Sequence, residues 1–217
     1  MGGDVGSEVG ILGGLSTLAA MQGRTGEVEK LITQAKQRMD ELGEWVWLFS
    51  YHRADTALWQ DDPVAAELEL RPALNPLKKL GDKSRLSPLA QLLARAVYLL
   101  GRYDEALQLT RECEEAARPN DVHDQIMWRS TRAKVLARRG ELAAAERLGR
   151  EAITIAEASD FLPAHAEALM DLAEVWQFAD RREDAEASIE EAIRLFERKG
   201  NLVATDRARA RLEELRV

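Results

Sequence analysis

The feature that most constrains this chain is a phrase that returns along it. Leu99-Leu100-Gly101-Arg102-Tyr103-Asp104-Glu105-Ala106 reads as a helix end, a tight turn and a new helix start. Ala137-Arg138-Arg139-Gly140-Glu141-Leu142-Ala143-Ala144-Ala145 and Phe178-Ala179-Asp180-Arg181-Arg182-Glu183-Asp184-Ala185 repeat it. Taking the turn residue as reference, the copies fall at Gly23, Asp61, Gly101, Gly140 and Asp180, spaced 38, 40, 39 and 40 residues apart. Small residues keep this register. Seven before the turn stand Ser16, Ala54, Ala94, Ala133 and Ala173; five after it stand Val28, Ala66, Ala106, Ala145 and Ala185. Twelve after it stand Ala35, Ala73, Cys113, Ala152 and Ala192, so only Val28 breaks the rule. Antiparallel helices joined by a short turn cross near it, and small side chains there let ridges enter grooves. A period of this length marks a solenoid of helix pairs, in which each pair contacts only its neighbours.

The residues resemble the tetratricopeptide repeat family. The third copy carries the resemblance best, with Ala94, Gly101, Tyr103 and Ala106, and Pro119 closing it. The family period is 34, so helix pairs of 38 to 40 residues are expected to be longer by about one and a half turns. Ala133-Lys134-Val135-Leu136-Ala137-Arg138-Arg139-Gly140-Glu141-Leu142 and Asp171-Leu172-Ala173-Glu174-Val175 are also similar to the C-terminal repeat region of large actinobacterial signalling proteins. Those proteins join a cyclase or transcription-factor domain to an ATPase and a helical-repeat tail.

The expected fold is all-α: a right-handed α-solenoid of about five antiparallel helix pairs with a C-terminal capping helix. Residues 1–8, glycine-rich and poor in apolar groups, are expected to be disordered, and 9–217 to form one elongated domain. The repeats span about 9–43, 44–86, 87–120, 121–162 and 163–200, with the cap over 201–217. Gly10, Gly13 and Gly14 weaken the first helix by up to ~1 kcal/mol each. The first copy therefore reads as the loosest, exposed for want of something upstream. Gly43 is expected to end the second helix, and an aromatic helix carrying Trp45, Trp47, Phe49, Tyr51 and Trp59 follows. Pro72 and Pro76 predict a break near residue 71, and Ser87-Pro88 a helix start.

Chemistry is sparse. His52, His123 and His165 are scattered, and no Cys/His cluster or His-Glu-x-x-His stretch supports a metal. His52 and Asp55, at i and i+3, could share a surface hydrogen bond. Gly10-Ile11-Leu12-Gly13-Gly14 lacks the lysine of a phosphate loop. The single cysteine, Cys113, holds a small-residue position and reads as a buried hydrophobe. No catalytic residue, cofactor or metal is assigned, and the chain is read as a non-enzyme. A net charge of −8 argues against broad attraction to nucleic acid or anionic membranes. No apolar run reaches the ~18 residues that span a bilayer, and no basic leader opens the chain, so a cytoplasmic location is expected.

The resemblance also implies a concave groove lined by the first helix of each pair, at positions 13, 10, 6, 3 and 2 before the turn. These positions place Tyr51, Asp55 and Trp59 in copy two, and Gln91, Arg95 and Tyr98 in copy three. Copy four places Lys134 and Arg138 there, and copy five Met170, Glu174 and Gln177. Arg95, Lys134 and Arg138 could clamp a partner's carboxylate or phosphate. Tyr51, Trp59 and Tyr98 could anchor it. Trp128 and Trp176 read as core. The expected function is a protein-interaction scaffold, a regulatory or sensing part of a bacterial signalling or transcription protein. The partner is a protein or peptide in the groove, and a homodimer is left open. The alternatives are a small-molecule sensor with an aromatic pocket and a structural or dimerising spacer.

Overall fold

The computed structural model describes residues 5–42 and 46–217. Among them run eleven α-helices: α1 (Val5–Met21), α2 (Thr25–Leu42), α3 (Val46–Trp59), α4 (Pro63–Leu80), α5 (Lys83–Leu99) and α6 (Tyr103–Ala116), then α7 (Val122–Arg138), α8 (Leu142–Glu157), α9 (Leu162–Phe178), α10 (Arg182–Lys199) and α11 (Leu202–Arg216). No strand occurs among the described residues. The chain is an all-α helical-repeat solenoid. Odd-numbered helices up to α9 form one layer and even-numbered helices the other, and α11 caps the stack.

All five reference turns are built alike. Gly23, Asp61, Gly101, Gly140 and Asp180 have φ of 71, 64, 77, 78 and 54°. In each, the next residue's amide reaches back five positions to a helix carbonyl. Arg102 N–H donates to Val97 O at 2.9 Å, Glu141 N–H to Leu136 O at 3.0 Å and Arg181 N–H to Trp176 O at 2.9 Å. A left-handed residue closing such a bond ends a helix and turns the chain at once. Asp61 and Asp180 take this conformation because Asp tolerates it better than most non-glycine residues.

The register of small residues is the packing register. Ser16, Ala54, Ala94, Ala133 and Ala173 are all buried, as are Val28, Ala66, Ala106, Ala145 and Ala185 and the Ala35 to Ala192 series. Cys113 is buried beside Ser87, and desolvation pushes its thiol up to about 12. Gly149 belongs to the same logic: a Cβ there would stand 2.7 Å from Leu172 Cδ1.

Four local expectations change. Helix α1 starts at Val5, so residues 5–8 are helical rather than disordered; residues 1–4 lie outside the described residues. Helix α4 runs unbroken through Pro72 and Pro76. Leu68, Pro72 and Pro76 form one exposed stripe, so the carbonyls freed by the missing amides face water rather than a dry interior. Helix α5 begins at Lys83, not at Ser87, because Asp82 caps it by accepting from Arg85 N–H at 3.1 Å. The fourth change concerns the first copy's glycines. A Cβ on Gly13 would lie 2.7 Å from His52 Cβ and nearer still to its ring, so Gly13 lets α3 approach α1. Gly43, Glu44 and Trp45 lie outside the described residues.

Candidate functional site

Of the expected groove residues, Arg95, Tyr98, Lys134, Arg138 and Glu174 join one network, paired within the chain. Helix α9 presents Glu167, Asp171 and Glu174 at i, i+4 and i+7, a spacing that lines one helix face. The basic row on α5 and α7 meets them. Arg95 Nη1 lies 2.8 Å from Glu167 Oε1, Lys134 Nζ 2.7 Å from Asp171 Oδ1, and Arg138 Nη2 2.8 Å from Glu174 Oε1. The expected clamp for a partner's carboxylate is thus filled by carboxylates of the chain itself. The reason is curvature: the layer of odd-numbered helices closes tightly enough for α5 to reach α9 past α7, pairing residues 72 and 76 positions apart.

Aromatic rings organise the row. Tyr98 Oη donates to Glu174 Oε1 at 2.5 Å and accepts from Arg138 Nε at 2.6 Å. Lys134 Nζ sits 4.3 Å from the Tyr98 ring centre, and Arg138 lies 4.8 and 4.9 Å over Tyr103 and Phe178. Arg95 lies 5.7 Å over Trp59. Burial raises the Tyr98 hydroxyl above the usual phenol range, with the Glu174 carboxylate adding to it. Burial also raises the Asp171 carboxyl against the opposing pull of Lys134.

The site grades from dry to wet along α9. The Lys134 and Glu167 side chains are 5% and 10% exposed, whereas Arg138 and Glu174 are 34% and 24% exposed. At the dry end, Asp55 accepts from Thr17 Oγ1 at 3.1 Å. Desolvation, helped by the nearby Glu167 charge, lifts its carboxyl to about 6. His52, expected to touch Asp55 at the surface, is instead packed against Gly13, and desolvation lowers its imidazole to about 4. Tyr51 stacks edge-on against His52 at 5.2 Å, and burial raises its hydroxyl.

Gln91 is 1% exposed and Ser130 2%, and they hold the same register, ten before the turn, on neighbouring odd-numbered helices. Neither amide atom of Gln91 finds a protein partner among the described residues, and the Ser130 hydroxyl finds none either. Met170 and Gln177 are half-buried; Gln177 accepts from Arg211 of α11. Trp128 and Trp176 are buried, each under two arginines: Arg129 and Arg132 for the first, Arg150 and Arg181 for the second.

The residues that sequence reasoning missed come from the far end of the chain. A pocket of about 100 Å³ is walled by Trp59, Met170, Phe196, Ala204 and Ala208, with Arg95, Glu167, Asp171 and Arg207 as its charged groups. Arg207 donates to the Trp59 carbonyl at 3.3 Å, 148 residues away, and makes no ion pair among the described residues. The acidic spacing on α9 was a usable signal for Asp171; nothing local announces Phe196 or Arg207. No group of three or more acidic, histidine or cysteine side chains that could hold a metal ion occurs among the described residues. No described helix is long and apolar enough to cross a membrane.

Residues 126–159 match the tetratricopeptide repeat family model, which falls on the fourth copy rather than the third. No curated protein matches by sequence. Solved structures share the fold. BtubC from P. vanneervenii has 18% identity and a TM-score of 0.60, over 90% of this chain and 82% of that one. NprR in complex with its cognate peptide NprX has 16% identity and a TM-score of 0.68; 93% of this chain covers 61% of NprR. A thermophilic tetratricopeptide protein of Thermus thermophilus has 20% identity and a TM-score of 0.58, over 93% and 95% of the two chains.

Proposed function

We propose that this helical-repeat solenoid, whose residues 126–159 match the tetratricopeptide repeat family model, is a non-catalytic scaffold that binds a peptide or protein segment in the concave face, as the sensing or regulatory part of a bacterial cytoplasmic signalling protein. The observation that carries this reading is the Gln91 amide, buried on the concave register with neither its donor nor its acceptor partnered among the described residues. An unpartnered buried polar group costs about 1–3 kcal/mol, and Ser130 beside it adds a second. A peptide main chain supplies both an acceptor and a donor to such an amide. The basic row then takes acidic side chains of the same segment, in exchange for the α9 carboxylates. The complex of NprR with a peptide supports this reading, since that protein shares the fold.

The test is capture of a partner from a lysate of the source organism, followed by titration of the captured segment as a labelled peptide. Gln91→Leu is expected to weaken binding at least about tenfold while melting no lower than the parent, because it removes an unpartnered amide. Arg95→Glu/Arg138→Glu is expected to abolish binding. A segment bound equally by both variants would move recognition off the concave face.

A second reading is favoured by one observation: the pocket between Trp59 and α11, where Arg95 and Arg207 balance Glu167 and Asp171, suits a small zwitterion with an apolar body. Quenching or shift of tryptophan emission by a metabolite, lost in Trp59→Phe, would support it.

A further inference from the structure

Helix α1 is apolar on every side. From Val9 to Met21 it carries no charged residue. A helix of that kind is normally buried all round. Its inner face is buried, with Val9, Ser16, Ala19 and Ala20 nearly inaccessible. Its outer face is not: Ile11, Leu15 and Leu18, at i, i+4 and i+7, are 60, 45 and 41% exposed. These three stand 12, 8 and 5 residues before the Gly23 turn. The same register is occupied by Leu89, Leu93 and Ala96 on α5 and by Ala168, Leu172 and Val175 on α9, all buried; on α3 and α7 it is occupied by buried Phe49, Thr56, Trp128 and Val135 with half-buried Arg53 and Arg132 between them. There it is the surface on which each helix pair stacks against the preceding one. Helix α1 therefore carries an apolar stacking surface that no described residue covers, in the register of the interface that joins successive pairs. Beside this ridge lies a cleft of about 460 Å³ between α1 and α2, lined by Glu8, Ile11, Leu12, Gln34, Gln37 and Arg38.

We propose that this face is a homodimerisation surface, on which a second copy of the chain seats its own α1 across a two-fold axis. A ridge and a cleft side by side on one face are what a self-complementary, isologous contact requires. Charge favours the same occupant. The chain carries a net charge of −8, so two copies repel wherever acidic surfaces meet. The exposed ridge of α1 is uncharged, and Glu8 and Arg38 beside it pair with each other at 3.1 Å. Head-to-tail stacking is disfavoured, because the other end of the solenoid is α11, whose exposed side presents mainly charged groups, Arg209, Arg211, Glu213 and Glu214, beside Leu202.

Sedimentation from about 1 to 200 μM, the range in which modest interfaces assemble, tests the proposal. A concentration-dependent shift from monomer to dimer mass is expected, lost in Leu15→Glu. It is expected to persist in Leu68→Glu, which alters a still more exposed leucine on α4. A chain that stays monomeric throughout, or a Leu15→Glu variant that dimerises like the parent, overturns it. Should Leu15→Glu lose its helical circular dichroism, Leu15→Cys decides. Cys113 is buried, so the new thiol is the reactive one. It is expected to form a disulfide-linked dimer under mild oxidation well above the level given by Leu68→Cys; equal yields overturn the proposal.

Discussion

Asp55 holds a carboxylate that burial penalises. Desolvation raises its carboxyl to about 6, from an ordinary value of 3.8. The unfolded chain therefore ionises this group at a pH where the folded chain still holds the proton. The stability it contributes is present in full below about 4 and is lost as pH rises through about 6. Asp55→Asn is thus expected to melt with the parent near pH 3.5 and above it at pH 8. The gain at pH 8 is about 1–2 kcal/mol, trimmed because the carboxyl is partly exposed. At roughly 2–4 °C per kcal/mol for a chain of this size, calorimetry at the two pH values resolves it. An equal gain at both would deny the proton linkage. The difference between variant and parent is the quantity to measure, since half-buried His52, lowered to about 4, tilts the parent's own profile the other way. At this scale the groove positions of Asp55, Arg95, Lys134 and Arg138 were expected from the resemblance, and Arg95, Lys134 and Arg138 meet carboxylates of α9. Their partners were not legible, because register within one pair does not report what stands opposite.

Helix α9 is the element that decides the state of the groove. Its three carboxylates answer three cations from two other helices. Taking both members of a buried pair out of water costs several kcal/mol each, and their attraction recovers this only while both are present. Asp171→Ala leaves Lys134, 4% exposed, without its carboxylate and is expected to cost about 3–5 kcal/mol in urea unfolding. Lys134→Met/Asp171→Leu is expected to recover most of that loss. A single variant costing under about 1 kcal/mol would mean that the pair is effectively solvated. Elements also show where local signals mislead. Pro72 and Pro76 announced a break in α4, and Ser87-Pro88 a start for α5. Solvent on the proline stripe and an upstream Asp82 cap overrode both.

Across the whole molecule, the two ends meet. Arg207 of α11 reaches the Trp59 carbonyl, and a Cβ on Gly23 would lie 3.6 Å from Val203 Cγ2. The solenoid is therefore closed on its concave side by its own cap, which also shields Trp59 at 4% exposure. Removing residues 201–217 strips cover from Phe196 and Trp59. It is expected to lower the melting midpoint by about 10 °C, at roughly 2–4 °C per kcal/mol. It is also expected to shift the emission of Trp59 to the red, a shift absent when Trp59→Phe is truncated in the same way. An unchanged midpoint and spectrum would show that closure lies outside the cooperative unit.

The sequence by itself determined the period, the five tight turns and the small-residue contacts. All are local or nearest-neighbour properties, and a repeat chain writes them once per copy. Only the tertiary structure decided that the basic row of α5 and α7 pairs with the carboxylates of α9 and that α11 returns to α3. Both depend on a small rotation between pairs, summed over five copies. No single spacing encodes that sum, which brings together side chains 72 to 148 residues apart.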